Sequence, residues 1–220
     1  HPLLAIIHPK RTSDMINSML AHYDQSVHKS LPVWSHFGNE NWCMIGYHAV
    51  PVIADAWING IRGFDPHRAL EACVSSATYK NYGNIDDYMK LGYVPFDKSV
   101  NGSSMTLEYS YDDWTIAQLA RSIGNTEVAE EFEKRSHNWK KLFNEETGFI
   151  GAKNSDGSWK EPFDALHTAN EGFIEGNAWN YSLYVPHDVP ALIERIGGNK
   201  KFADYLDTLF TMHLPDEYFA

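Results

Sequence analysis

The sequence holds only two cysteines, Cys43 and Cys73. They are too few for a disulfide framework and lack metal-ligand spacing, and each stands in a helix-like apolar context where a free thiol packs as a small apolar group. No Lys/Arg run exceeds two residues, and the formal net charge of −11 repels phosphate backbones, which excludes nucleic acid as a natural partner. No apolar stretch is long enough to span a membrane, since even Ala49 to Ala56 is broken by Pro51 and Asp55. The chain opens at His1 with no initiator methionine and no signal peptide, so any export signal is expected to lie upstream or never to have existed. A Gly-rich phosphate loop, a G-x-S-x-G elbow, an H-E-x-x-H pair and an EF-hand loop are also absent, which sets aside the chemistries they carry. An open calcium site of carboxylates and amides leaves no such signature.

What the sequence does have is aromatic side chains: seven Trp, twelve Tyr and eleven Phe in 220 residues, against 21% charged residues. A large core absorbs many of these. Aromatics with Asn, Asp, Glu and His close by are equally the means by which proteins stack on and hydrogen-bond to sugar rings.

Helical periodicity runs through most of the chain. Met15, Met19 and Tyr23 at four-residue steps, with Ile16 and Leu20 beside them, predict a helix over 13–25 capped by Thr12 or Ser13. An apolar helix is expected from Cys43 to Ile61, bent at Pro51. Asp65 followed by Pro66 is the N-cap and first-residue order of a third helix, reaching to about Lys80. Met105 to Ser122 forms another, closed by Gly124, and its antiparallel neighbour runs from Asn125 or Thr126 to Phe143 with Phe132, Trp139 and Phe143 inward. "GFIGAKNSDGSWKEPF" breaks the pattern and predicts one short β-hairpin near 148–162. Further helices are expected at Asn177 to Tyr184, Asp188 to Gly197 and Lys200 to Met212. The fold class is therefore all-α, built of helix pairs. A two-layer bundle and a solenoid are alternatives to an α/α toroid, and the toroid is favoured because polar aromatic clusters gather at helix ends, where it would point loops into a central cavity.

Four clusters combine carboxylates, amides and aromatics. "LPVWSHFGNENWCMIGYHA" offers Trp34 and Glu40 for a sugar ring and its hydroxyls, or ordinary capping by Asn39 or Asn41. In "GNIDDYMKLGYVPFDKS", Asp86, Asp87 and Asp97 suit a capped, solvated helix start. In "MTLEYSYDDWTIAQLA", Glu108 and Asp112 lie one turn apart, able to share a proton, orient a hydroxyl or pair with Arg121. In "GFIEGNAWNYSLYVPHDV", Glu175 is flanked by Phe173, Ile174 and Trp179. An apolar medium there would disfavour the charged carboxylate and raise its pKa, which is what a general acid requires.

These motifs, with "GYVPFDKSVNGSSMTLEYSYDDWTIAQLA" and "LFTMHLPDEYF", resemble glycoside hydrolase family 92, the calcium-dependent exo-acting α-mannosidases, over essentially the whole chain. The resemblance implies a partial (α/α)6 toroid in which residues 1–220 are an internal part of a single catalytic domain, with a β-sandwich domain upstream and the rest of the toroid downstream. It also implies release of terminal α-mannose, α1,2-linked by expectation, from N-glycan or mannan-type glycans, with inversion and in a secreted or periplasmic setting. Glu175 matches the general acid of the family's E-G-N-x-W-x-Y motif, with Gly176, Asn177, Trp179 and Tyr181 in register. Trp34, Glu40, Asn177 and Trp179 are expected in the sugar pocket. The implied Ca2+ has no assignable ligands here. The family's W-D-T, N-E-P-S-H-H-like and G-N-D/E-D-x-G-Q motifs are absent, and the catalytic base borne by the last is expected beyond Ala220. The rival readings are a non-catalytic glycan- or protein-binding helical module, and another (α/α)6 glycosidase or phosphorylase.

Overall fold

A computed structural model describes residues 1–37 and 39–219. It is mostly helical, and the chain divides into two compact units, His1–Asp86 with Tyr109–His137, and Asp87–Glu108 with Asn138–Ala220.

The first unit contains α1 (Pro2–Ile7), α2 (Pro9–Gln25), a two-residue ladder of β1 (Ser35–His36) with β2 (Asn39–Glu40), α3 (Ala49–Ile58) and α4 (Pro66–Ala77). It also takes α6 (Gly102–Ser122) from Tyr109 onward, and α7 (Thr126–Ser136). Helix α2 starts earlier than its periodicity suggests, because Pro9 is well suited to a first turn whose N–H groups have no partner. Thr12 and Ser13 are thus inside the helix, bonding back to the carbonyls of His8 and Pro9, and do not cap it. Its buried stripe is Ile16, Leu20 and Tyr23, while Met15 turns outward.

Helix α3 begins six residues later than expected. Trp42, Met44 and Gly46 have φ of +57°, +72° and +80°, left-handed values that no α-helix accommodates. Cys43 consequently lies exposed in a loop, not buried in a helix, whereas Cys73 is buried in α4. Pro51 falls in the first turn of α3, where its missing N–H displaces no helical hydrogen bond. Asp65 caps α4 as expected, accepting from the backbone N–H of His67 at 2.9 Å and of Arg68 at 3.4 Å.

Two adjacent carboxylates, both fully buried, organise this unit's interior. Asp112 accepts from the Tyr47 backbone N–H and is paired with His48 Nδ1, each at 2.8 Å. Asp113 accepts from Arg135 Nε and Nη2 at 2.9 and 3.0 Å and from the Tyr47 hydroxyl at 2.7 Å. A bidentate buried pair of this kind costs about 3–5 kcal/mol to break by removing one partner.

The second unit holds most of α5 (Ile85–Leu91), the first two turns of α6, most of a 3-10 turn at His137–Lys141, and a ladder of β3 (Phe143–Asn144) with β4 (Phe149–Ile150). It continues with α8 (Ala178–Tyr181), α9 (Val189–Ile196) and α10 (Asn199–Thr211). Its core gathers Tyr93, Leu107, Trp139, Leu142, Phe143, Ile150, Phe173, Val185 and Leu192. Each large apolar side chain so buried contributes about 1.5–3 kcal/mol. The small hairpin at 154–158 is present in reduced form: a single bridge joins Lys153 to Trp159, and the Asn154 N–H reaches Ser158 O at 2.9 Å. Helix α8 is shorter than its apolar pattern suggests, while Gly197, at φ +107°, ends α9 where expected.

Candidate active site

The start of α6 fixes the loop that carries Glu175. The N–H groups of Ser103 and Ser104 fall in the first turn and have no acceptor within the helix. Both donate to Gly172 O, at 3.0 and 3.1 Å. The Ser103 hydroxyl donates to Gly151 O at 3.0 Å, and Ser104 Oγ accepts from the Ile174 N–H at 3.1 Å. The approach requires glycine at 172: at φ +97°, an added Cβ would lie 2.5 Å from Ser103 Oγ and 2.9 Å from Ala152 Cβ.

Three residues later the chain adopts a conformation that side chains avoid. Glu175 has φ +51°, a left-handed value without a glycine to accommodate it. Gly176 is packed so closely that a Cβ would meet the Asn180 amide at 2.9 Å and the Tyr181 ring at 3.0 Å. Asn177 then caps α8: its Oδ1 accepts from the Trp179 N–H at 3.1 Å, and Asn180 Oδ1 accepts from the Asn177 N–H at 2.8 Å. The outcome is an exposed Glu175 carboxylate that makes no hydrogen bond or ion pair among the described residues.

Beside it, Glu108, Ile174, Asn180, Tyr181 and Tyr184 complete the lining of an open concavity of about 320 Å³. The Tyr181 ring stacks on Phe173, with centroids 5.5 Å apart and planes 22° from parallel. Its hydroxyl lies beside the Ser104 hydroxyl and the Glu108 carboxylate. Burial, opposed by the Ser104 bond and reinforced by the charges of Glu108 and Glu175, pushes the Tyr181 phenol above its usual value of 10.0. The phenol thus keeps its proton and remains a donor. Two carboxylates and a donor phenol around one concavity can deliver a proton and hold a polyhydroxylated ligand.

The sequence-predicted residues take different positions. The apolar enclosure expected around Glu175 is not found, because neighbours in sequence need not share a face. Phe173 is buried under Tyr181, and the Trp179 ring packs against Phe149 and Tyr205 at centroid distances of 4.9 and 4.8 Å. Asn177 is occupied as a cap, and its Nδ2 donates to Leu166 O at 3.1 Å. Trp34 and Glu40 belong to the first unit. Trp34 is half exposed, whereas the Glu40 carboxylate accepts from the backbone N–H groups of Val33, Trp34, Asn41 and Trp42 at 2.6, 3.0, 3.0 and 2.9 Å. It fastens its own loop.

Periodicity pairs Glu108 with Asp112. In the structure Asp112 is committed to Tyr47 and His48, and Glu108 meets Tyr181 instead. No short-range signal reports that contact. Among the described residues no three His, Cys, Asp or Glu side chains are placed to hold a metal ion.

The fold and this geometry can be set beside known proteins. A curated relative, described as an uncharacterized secreted glycosidase from Arthroderma benhamiae, is 29% identical over 202 aligned residues, covering 74% of this chain and 26% of that one. Among solved structures, a family GH92 α-mannosidase from Bacteroides thetaiotaomicron is 43% identical with a TM-score of 0.93, covering 98% of this chain and 29% of that one. The same enzyme has been solved in complex with mannoimidazole, and superposes with a TM-score of 0.94. A family GH92 inverting mannosidase from Bacteroides thetaiotaomicron VPI-5482 is 32% identical with a TM-score of 0.87, covering 94% of this chain and 29% of that one. This chain thus spans between a quarter and a third of the length of these relatives. Residues 1–218 match the model of the glycosyl hydrolase family 92 catalytic domain, and the chain belongs to that family.

Proposed function

We propose that this chain is the acid-bearing part of an exo-acting α-mannosidase that removes terminal α-mannose with inversion. The preferred linkage is α1,2, the substrates are N-glycan or mannan-type glycans, and the enzyme works outside the cytoplasm. Family membership supports the reaction class, and the description of the fungal relative as secreted supports the setting. Among the described residues, no helix is long and apolar enough to cross a membrane. Calcium dependence is part of the proposal for the whole enzyme, as the family resemblance implies.

One observation carries the assignment of the acid. Glu175 presents an exposed carboxylate from a left-handed backbone position, at the rim of a concavity lined by a second carboxylate and two tyrosines. Conformations of this cost persist where the surrounding structure holds them, and they cluster at functional sites. Here the fastening of Gly172 and Ile174 to α6, and the tight approach of Gly176 to α8, hold it. Protonated Glu175 would give its proton to the glycosidic oxygen as the bond to the anomeric carbon breaks. Water would attack from the opposite face, activated by a carboxylate of another motif, the two about 6.5–9.5 Å apart.

The test is Glu175→Gln in the whole enzyme. A disaccharide, whose leaving group needs protonation, should lose about 10²–10⁴-fold in kcat. An aryl α-mannoside with an activated leaving group should lose far less. Equal losses on both substrates would reject Glu175 as the acid.

A further inference from the structure

Resting on that reading, we infer that Ser104 is a positioning residue for the general acid: its hydroxyl oxygen fixes the peptide plane ahead of Glu175 and so aims the carboxylate that gives the proton. Ser104 is fully buried in the first turn of α6 and acts only through the segment it holds.

That segment is held plane by plane. Gly172 O accepts from the N–H groups of Ser103 and Ser104 at 3.0 and 3.1 Å, which fixes the peptide joining 172 to 173. The Ile174 N–H donates to Ser104 Oγ at 3.1 Å, which fixes the next peptide, 173 to 174. On the far side of Glu175, the Asn177 N–H donates to Asn180 Oδ1 at 2.8 Å and fixes the peptide joining 176 to 177. The chain must turn between these two ends, and Glu175 makes the turn at φ +51°. A side chain keeps such a backbone only where its surroundings over-determine it, so loosening one end lets Glu175 relax and carries its carboxylate away from the ligand.

Both ends belong to one frame. The Ser103 hydroxyl donates to Gly151 O at 3.0 Å, and Ser182 Oγ, at the end of α8, accepts from the Ile150 N–H at 2.9 Å. Residues 150 and 151 thereby tie the first turn of α6 to the end of α8 through serines that are all buried. Within that frame Ser104 Oγ reaches the residue next to the acid. The bonds to Gly172 O come from main-chain N–H groups that a substitution leaves in place, whereas the bond to Ile174 depends on the Ser104 hydroxyl. Proton transfer to the leaving oxygen is sensitive to small misplacements of the donor, so the loss of that bond is felt in the chemical step more than in binding.

The experiment compares Ser104→Ala with the unaltered whole enzyme on α1,2-mannobiose and on an aryl α-mannoside with an activated leaving group. The disaccharide kcat is expected to fall by about tenfold or more with KM little changed, and the aryl mannoside should lose far less. In a Glu175→Gln background the same substitution should cost the disaccharide nothing further, because groups that act as a unit are not additive. If Ser104→Ala does not melt cooperatively, Ser104→Cys, close in size and a weak acceptor, is measured in its place. An unchanged disaccharide kcat, equal losses on the two substrates, or a loss that adds in full to that of Glu175→Gln overturns the inference and leaves the acid assigned. If Glu175→Gln alone lowers both substrates equally, or the unaltered enzyme releases no mannose, the underlying reading is rejected and this inference falls with it.

Discussion

Glu175 brings its carboxylate to the surface through a backbone that disfavours it. A left-handed L-residue costs about 1–2 kcal/mol. Glycine removes that strain but gives back about 0.5–1 kcal/mol in unfolded-state freedom. Glu175→Gly is therefore expected to leave stability unchanged or to raise it by about 1 kcal/mol, a shift of roughly 2–4 °C for a domain of this size. Mannose release from the disaccharide should disappear in the same variant. Calorimetry of the variant checks this, and a melting temperature several degrees lower would show that the Glu175 side chain contributes packing. Glu40 is the contrasting case. Its carboxylate is consumed by four backbone N–H groups, so the residue type that stands exposed at position 175 serves here as a loop staple.

At the scale of elements, the turn at 154–158 shows how an Asn-Ser-Asp-Gly stretch is held when almost no strand ladder supports it. Asp97 accepts from the Ser155 N–H at 2.7 Å and from its hydroxyl at 2.8 and 3.0 Å. Asp156 accepts from the Ser158 N–H at 2.9 Å and from its hydroxyl at 2.6 Å. Chiefly through these serine hydroxyls, both carboxylates are held below their usual value of 3.8. The folded value lies under the unfolded one, so the stabilisation is fully present above 3.8 and is lost as pH falls through the depressed folded value. Asp97→Asn should accordingly flatten the acid limb of a plot of melting temperature against pH, while changing little at neutral pH. An acid limb as steep as that of the unaltered protein would show that Asp97 titrates as it does in the unfolded chain. Hydrophobic periodicity placed α4, α6 and α10 to within a few residues, and ran α7 on to Phe143 where the α-helix ends at Ser136 and a 3-10 turn follows. It misplaced the start of α3, because three left-handed residues lie in an otherwise apolar run and periodicity carries no information about φ.

At the scale of the whole molecule, Glu175 and the two first-unit candidates for sugar contact lie in different compact units. The described residues gather no metal cluster in either. Our proposal assigns calcium to the whole enzyme and a metal-independent fold to these 220 residues. Chelation should therefore abolish mannose release by the whole enzyme, with recovery on adding calcium back, and leave the melting temperature of this chain unmoved. A chelator-induced drop in that melting temperature would reveal a structural ion within the chain. Undiminished release under chelation would remove calcium from the proposal.

The sequence by itself determined the helical class, the Asp65–Pro66 helix start, the charge that repels nucleic acid and, through long ordered motifs, the family and the candidate acid Glu175. These are legible because periodicity, capping and motif spacing act over a few residues, and a run of rare residues in order is specific without coordinates. Only the tertiary structure decided which groups those residues meet. Glu108 faces Tyr181 in the concavity that Glu175 rims, Asp112 is spent on Tyr47 and His48, Glu40 is saturated by its own loop, and Glu175 is exposed, not enclosed by Phe173 and Trp179. The physical reason is that a carboxylate's role depends on which donors approach its lone pairs, and those donors come from segments far apart in the chain.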